Sequence, residues 1–129
     1  MPQNRDINKQ VAIASSFVPL LRTATVTGTG VDLAGFRSAM VLVHVGTVTD
    51  GTHTLSLEES DDDSTYTTVA AGDLSGSFTA AATATKVQEV GYLGTKRYIR
   101  VKSTVTGSPA TGGTYGATII KADPLDLPQ

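Results

Sequence analysis

The side chains with chemistry to offer are two histidines, one run of carboxylates and one run of cations. His44 lies inside the apolar run MVLVHV (40–45), where the plain reading is a core or interface histidine with one hydrogen-bond partner. His53 follows Asp50-Gly51 and is expected to be exposed. Neither has metal-ligand spacing such as H-E-x-x-H, and no cysteine is present to help. No G-x-S-x-G elbow marks a nucleophile, although a Ser–His–Asp set need not be close in sequence.

Glu58, Glu59, Asp61, Asp62 and Asp63 form the carboxylate run. Oxygen-rich loops hold calcium, but this spacing is not that of an EF-hand. Adjacent exposed aspartates have no cause for a raised pKa, so glycosidase acid chemistry is not indicated. A solvated, charged hairpin turn is the expected role. Gly28-Thr29-Gly30 and Gly112-Gly113 precede no expected helix, which a phosphate cradle requires. Lys96, Arg97, Arg100 and Lys102 read either as a solvated strand face or as a docking face for an acidic protein surface. The residues thus point to no catalytic site, no metal and no cofactor.

The elements that must position these groups are strands. Thr and Val are abundant and helix formers are sparse, and β-branched side chains suit pleated, half-buried surfaces. At 129 residues one domain is expected, large enough to fold without disulfides. The net charge of −2 argues against nucleic acid as a partner, since it leaves no basic excess. No apolar run approaches membrane-spanning length, and the polar start MPQNRDINKQ lacks a signal-peptide apolar region. Neither a membrane partner nor secretion is expected, and synthesis is placed in the cytoplasm.

The stretch 36–60 reads as a central hairpin turning at Asp50-Gly51. Val41, Val43 and Val45 should face the core; Met40, Leu42 and His44 share the opposite face and need a cover or partner. Lys96 to Thr106 alternates cleanly, with Ile99 and Val101 inward and Arg100 and Lys102 outward. Turn signals separate eight to ten short strands, the pattern of an antiparallel β-sandwich of jelly-roll type. The expected organisation is an N-terminal arm over 1–21, interrupted by Pro19, a sandwich over 22–122, and a Pro-punctuated tail over 123–129. The arms carry Ile7, Val11, Ile13, Phe17, Leu125 and Leu127, apolar residues able to order on a neighbour.

Three segments carry a family resemblance: LEESDDDSTYTTVAAGDLSGSF (57–78), VQEVGYLGTKRYIRVKSTVTG (87–107) and GGTYGATIIKADP (112–124). They resemble small proteins encoded among the head genes of tailed bacteriophages, over roughly residues 30–124. The resemblance implies a non-catalytic virion protein on the capsid surface, a decoration or cement subunit. Its implied partner is the phage major capsid protein, and a dimer or trimer is the implied state on the shell. Candidate partner-binding residues are Val11, Ile13, Phe17, Met40, His44, Arg97, Arg100 and Lys102. The rival readings are a virion adhesin or carbohydrate-binding module, using loops 107–113 or 61–64, and a head–tail or tail structural protein.

Overall fold

Valines alternate with exposed or half-exposed residues along Phe36–Val48, and that period of two decides which side of a sheet is buried. The computed structural model describes residues 10–82 and 86–124. Ten strands appear in order: β1 (Val11–Arg22), β2 (Val26–Thr27), β3 (Val31–Asp32), β4 (Phe36–Val48), β5 (Thr52–Ser60), β6 (Thr67–Thr68), β7 (Leu74–Ser75), β8 (Val87–Tyr92), β9 (Tyr98–Thr106) and β10 (Gly113–Pro124). One sheet has the order β1-β10-β4-β8-β7. The other has β2-β9-β5-β6, with β3 also against β9. All pairings are antiparallel.

Setting aside the two-residue β7 and counting β2 and β3 as one interrupted position, the sheets read β1-β10-β4-β8 and β2/β3-β9-β5-β6. The chain crosses between sheets at nearly every step, which is the jelly-roll form of the β-sandwich. The core fills from both inner faces. Val41, Val43, Tyr115 and Ile119 meet Leu55, Leu57, Ile99 and Val101, and all eight are nearly or fully buried.

The expected central hairpin is not one. β4 pairs with β10 and β8, whereas β5 pairs with β9 and β6. Asp50-Gly51 does reverse the chain, with Gly51 at φ +83, but the reversal carries it from one sheet to the other. Asp50 has a second task. Its carboxylate accepts hydrogen bonds from the backbone N–H groups of Ala110, Thr111 and Gly112, tying the turn to the 107–112 loop. The Gly112 N–H is the foremost of several donors that hold the Asp50 carboxyl below its ordinary pKa.

The expected N-terminal arm is also revised. Val11–Arg22 is a full edge strand along β10, so the sandwich starts at Val11 and not at residue 22. Pro19 is accommodated because the register shifts between Ser15 and Phe17 and again between Phe17 and Leu20. The first shift turns Ser16 inward, where its hydroxyl donates to the Thr29 carbonyl and accepts from the Val101 N–H. That bulge links the edge of one sheet to the other. The tail begins later than expected as well, since β10 runs to Pro124. Ile7, Leu125 and Leu127 lie outside the described residues.

Gly112 shows how closely β1 and β10 approach. Its φ is +80, and a Cβ there would lie 1.9 Å from the Arg22 carbonyl oxygen. Gly112→Ala should therefore destabilise the fold by about 2 kcal/mol or more, combining left-handed strain with a backbone clash. Urea unfolding with an unchanged slope and a lower midpoint would be the signature.

Candidate docking surface

The outer face of the β1-β10-β4-β8 sheet is apolar across its middle. The register places Ile13, Ile120, Met40 and Gly91 side by side on four neighbouring strands. The next row outward on the same face holds Ser15, Thr118, Leu42 and Glu89. Inner partners alternate with these: Ile119 and Val41 are fully buried, whereas Ile120, Met40 and Leu42 are half-buried on the open side. Ile13 is 65% exposed and Val87 is 53% exposed. In those two rows Glu89 is the only charged side chain. Cross-strand neighbours of this kind stand about 5 Å apart, so the row forms one continuous strip.

His44 lies on this outer face, opposite Gly116 and Val87, and is exposed. Met40 and His44 therefore share the face expected of them, and His44 is exposed there. Val11 is half-buried at the end of the same face, opposite Ala122. Phe17 does not belong to the surface. It is 7% exposed and packs edge-on against Tyr115, with ring centroids 5.9 Å apart. The bulge at Ser16 reverses the facing of β1, and so turns Phe17 inward.

The cations do not form a free docking face. Arg97 binds Asp32 through two parallel hydrogen bonds, both 2.9 Å. Arg100 donates to Glu58 at 2.7 Å and stacks over the Tyr66 ring at 3.8 Å. Lys96 pairs with Asp61 at 2.9 Å. Three of the four cations are thus spent on carboxylates, two of which, Glu58 and Asp61, belong to the acidic run that drew attention in the sequence. Lys102 is half-buried on β9 and has no carboxylate partner among the described residues. Arg97 precedes β9 and does not share a strand face with Arg100 and Lys102.

The acidic run forms the expected hairpin turn between β5 and β6, but it is more organised than a solvated loop. Asp62 accepts from the backbone N–H groups of Ser64 and Thr65, which lowers its pKa. Asp63 accepts from the Tyr66 hydroxyl. Glu59 accepts from the Tyr92 hydroxyl at 2.7 Å, and burial followed by that carboxylate pushes the Tyr92 pKa up. Among the described residues, no three His, Asp or Glu side chains converge to hold a metal ion.

Family models, curated proteins and solved structures were compared with this chain, and none matches.

His53 departs most from expectation. It is fully buried, with Nδ1 2.9 Å from the Tyr115 hydroxyl and Nε2 3.0 Å from the Asp50 carbonyl. A carbonyl only accepts, so Nε2 carries a proton, and in the neutral ring Nδ1 accepts from Tyr115. The Tyr115 oxygen then accepts from Ser103, 2.6 Å away. All three side chains are satisfied and closed off from solvent, so this is a structural chain of hydrogen bonds and offers no open reaction centre.

The Asp32–Arg97 pair gives a pH prediction. The Arg97 hydrogen bonds, then the Ala34 N–H, lower the Asp32 pKa from 3.8 to about 2. A folded value below the unfolded one stabilises above the unfolded pKa and is lost as pH falls from about 4 through about 2. Both side chains are roughly half exposed, at 55% and 43%, so screening limits the effect to about 0.5–1 kcal/mol. Asp32→Asn should be less stable than the parent by that amount at neutral pH. The gap should close by about pH 2, read as converging urea midpoints.

The outer-face residues missing from the sequence reading are Ile120 and Val87. Adjacent Ile119-Ile120 carried the signal for the first, since neighbours on a strand must face opposite sides.

Proposed function

We propose that this chain is a non-catalytic virion subunit that decorates the outside of a tailed-phage capsid and binds the major capsid protein. The observation that carries the reading is the contiguous apolar strip Ile13–Ile120–Met40 on the outer face of the sandwich, exposed at Ile13 and half-buried at Ile120 and Met40. Single exposed apolar residues are ordinary on a protein surface, but a contiguous strip on a rigid sheet marks an interaction surface. The segments resembling phage head proteins supply the kind of partner. The jelly-roll sandwich supports it more weakly, because that architecture also serves lectins and enzymes. Internal pairing of Lys96, Arg97 and Arg100 favours docking through the apolar face over docking through charge. A dimer or trimer on the shell is part of the proposal.

The test is composition and location. Quantitative mass spectrometry of purified virions should find the chain at copy numbers matching the capsid lattice. A particle reconstruction should place its mass outside the shell, with the β1-β10-β4-β8 sheet toward the capsid. A single ring's worth of copies would favour a head–tail position. Glycan-array binding without shell binding would favour the adhesin reading.

A further inference from the structure

The long strands at the margins of the two sheets are covered, with one exception. β5 carries β6, and further along the Val69 and Ala81 N–H groups donate to the Leu57 and His53 carbonyls, both at 2.9 Å. β9 carries β2 and β3, with the Gly28 N–H on the Val101 carbonyl at 2.8 Å. β8 carries β7 and also Thr79, whose backbone N–H and carbonyl are both held by the Gln88 side chain at 3.0 Å. The covering strands β2, β3, β6 and β7 are each two residues long, too short to template another chain. β1 is the exception. It is twelve residues long, and among the described residues no strand lies on its outer side.

The second part of β1 is protected. Register shifts break it after Ser15 and again before Leu20, Pro19 offers no N–H, and the Arg22 guanidinium donates to the Val18 carbonyl at 2.6 Å. The first part has none of these devices. Val11–Ser15 keeps unbroken register with β10 and contains no charge and no proline. An unpaired row of backbone N–H and C=O groups is matched by another strand, and β1 of a second copy fits it. With a two-fold axis at Ile13, the middle of the run, an antiparallel pair sets Val11 against Ser15 and Ala12 against Ala14 in both directions. The run is uncharged, so self-pairing opposes no like charges. Directly opposite residues share a face, so Ile13, 65% exposed in the single chain, is covered by its own copy. The row Met40–Ile120–Ile13 then continues into the same row of the second copy. We propose that Val11–Ser15 is a homodimer contact, in which the β1 strands of two copies pair antiparallel about Ile13 and merge their sheets. A contact built on one strand edge is small beside the roughly 1,200–2,000 Å² of a stable complex, so the dimer forms in a concentration-dependent way. The pairing needs no capsid and does not rest on the capsid reading.

Sedimentation equilibrium of the isolated full chain tests it, and should show a monomer–dimer equilibrium. Ile13→Glu sets two carboxylates opposite each other and should weaken dimerisation at least about tenfold. Ile13→Lys should do the same, and an equimolar mixture of the two variants should recover the dimer, which separates lost pairing from lost folding. Ile13 is exposed, so both variants should keep the circular dichroism of the parent. The chain has no cysteine, so Ile13→Cys reports the register directly. Opposite Cβ atoms stand about 5 Å apart, and mild oxidation should join two copies. Val87→Cys, exposed on β8 across the same sheet, should not be joined. A parent that stays monomeric at every concentration, an Ile13→Glu variant that dimerises like the parent, or Ile13→Cys joining no faster than Val87→Cys would overturn the proposal. A mixture that does not recover the dimer would overturn it too, by showing that Ile13 does not face its own copy.

Discussion

Replacing His53 with Ala should lower the unfolding free energy by about 3–5 kcal/mol, a large share of the roughly 5–15 kcal/mol typical of a domain. Two costs combine. The first is an unfilled cavity in a site where His53, Tyr115 and Ser103 are all nearly or wholly buried. The second is the loss of partners for the Tyr115 hydroxyl and the Asp50 carbonyl. Tyr115→Phe isolates part of this. It keeps the ring against Phe17 but leaves His53 Nδ1 without a donor and Ser103 without an acceptor, at a cost of about 1–3 kcal/mol. Because the two residues share one hydrogen-bond chain, the double variant should fall short of the sum of the singles by about 0.5–3 kcal/mol. Urea unfolding of the four proteins measures the coupling. Independent costs, or a His53→Ala midpoint within error of the parent, would remove this chain from the list of what holds the fold. The location of the chain adds a mechanism. Asp50 uses its carbonyl on His53 and its carboxylate on the 110–112 backbone, so one residue joins the core to the turn where the chain changes sheets.

Facing was legible in the sequence, whereas pairing was not. The inward set Val41, Val43, Val45 and the set Ile99, Val101 follow from alternation alone, because a strand's side chains change sides at every residue. Asp50-Gly51 gives a real turn, but a turn signal reports local reversal and says nothing about which sheet each strand joins. β4 sits between β10 and β8, strands far away in sequence, so its partners could not be read from its own residues. The same limit hid the environment of His53. Its burial depends on Tyr115, 62 residues away. The cations looked free for the same reason, since Arg97 meets Asp32 across 65 residues and Arg100 meets Glu58 across 42. Pro19 made β1 look like an arm, and only the bulged register explains how an edge strand absorbs it. On the outer face, Met40 and His44 were placed by alternation, whereas Ile13 was singled out only as an apolar residue of an expected arm.

On the proposed capsid docking, Ile120→Glu should abolish shell binding while leaving the fold intact. Ile120 is the middle of the strip, between Ile13 on β1 and Met40 on β4, so it would be the most completely desolvated residue of a docked face. A carboxylate placed there must be buried without a partner or must hold the surfaces apart, and either costs several kcal/mol. A loss of at least about 100-fold in affinity is expected, equivalent to roughly 3 kcal/mol. The stability cost should be about 1–2 kcal/mol, because the outward side chain is half-buried and gives up part of its apolar contact along with strand propensity. Lys102→Ala, on the other sheet, should change binding less than about threefold. Arg100→Ala should act on stability instead, since it strips the partner from the mostly buried Glu58. Ionic strength separates the two kinds of docking independently. An apolar face predicts binding to purified shells that barely changes with salt, whereas a charged face predicts a steep fall once screening shortens to about 10 Å or less. Full binding by Ile120→Glu, or binding lost with Lys102→Ala and with added salt, would move the contact to the β9 face and leave the apolar strip without a role in attachment.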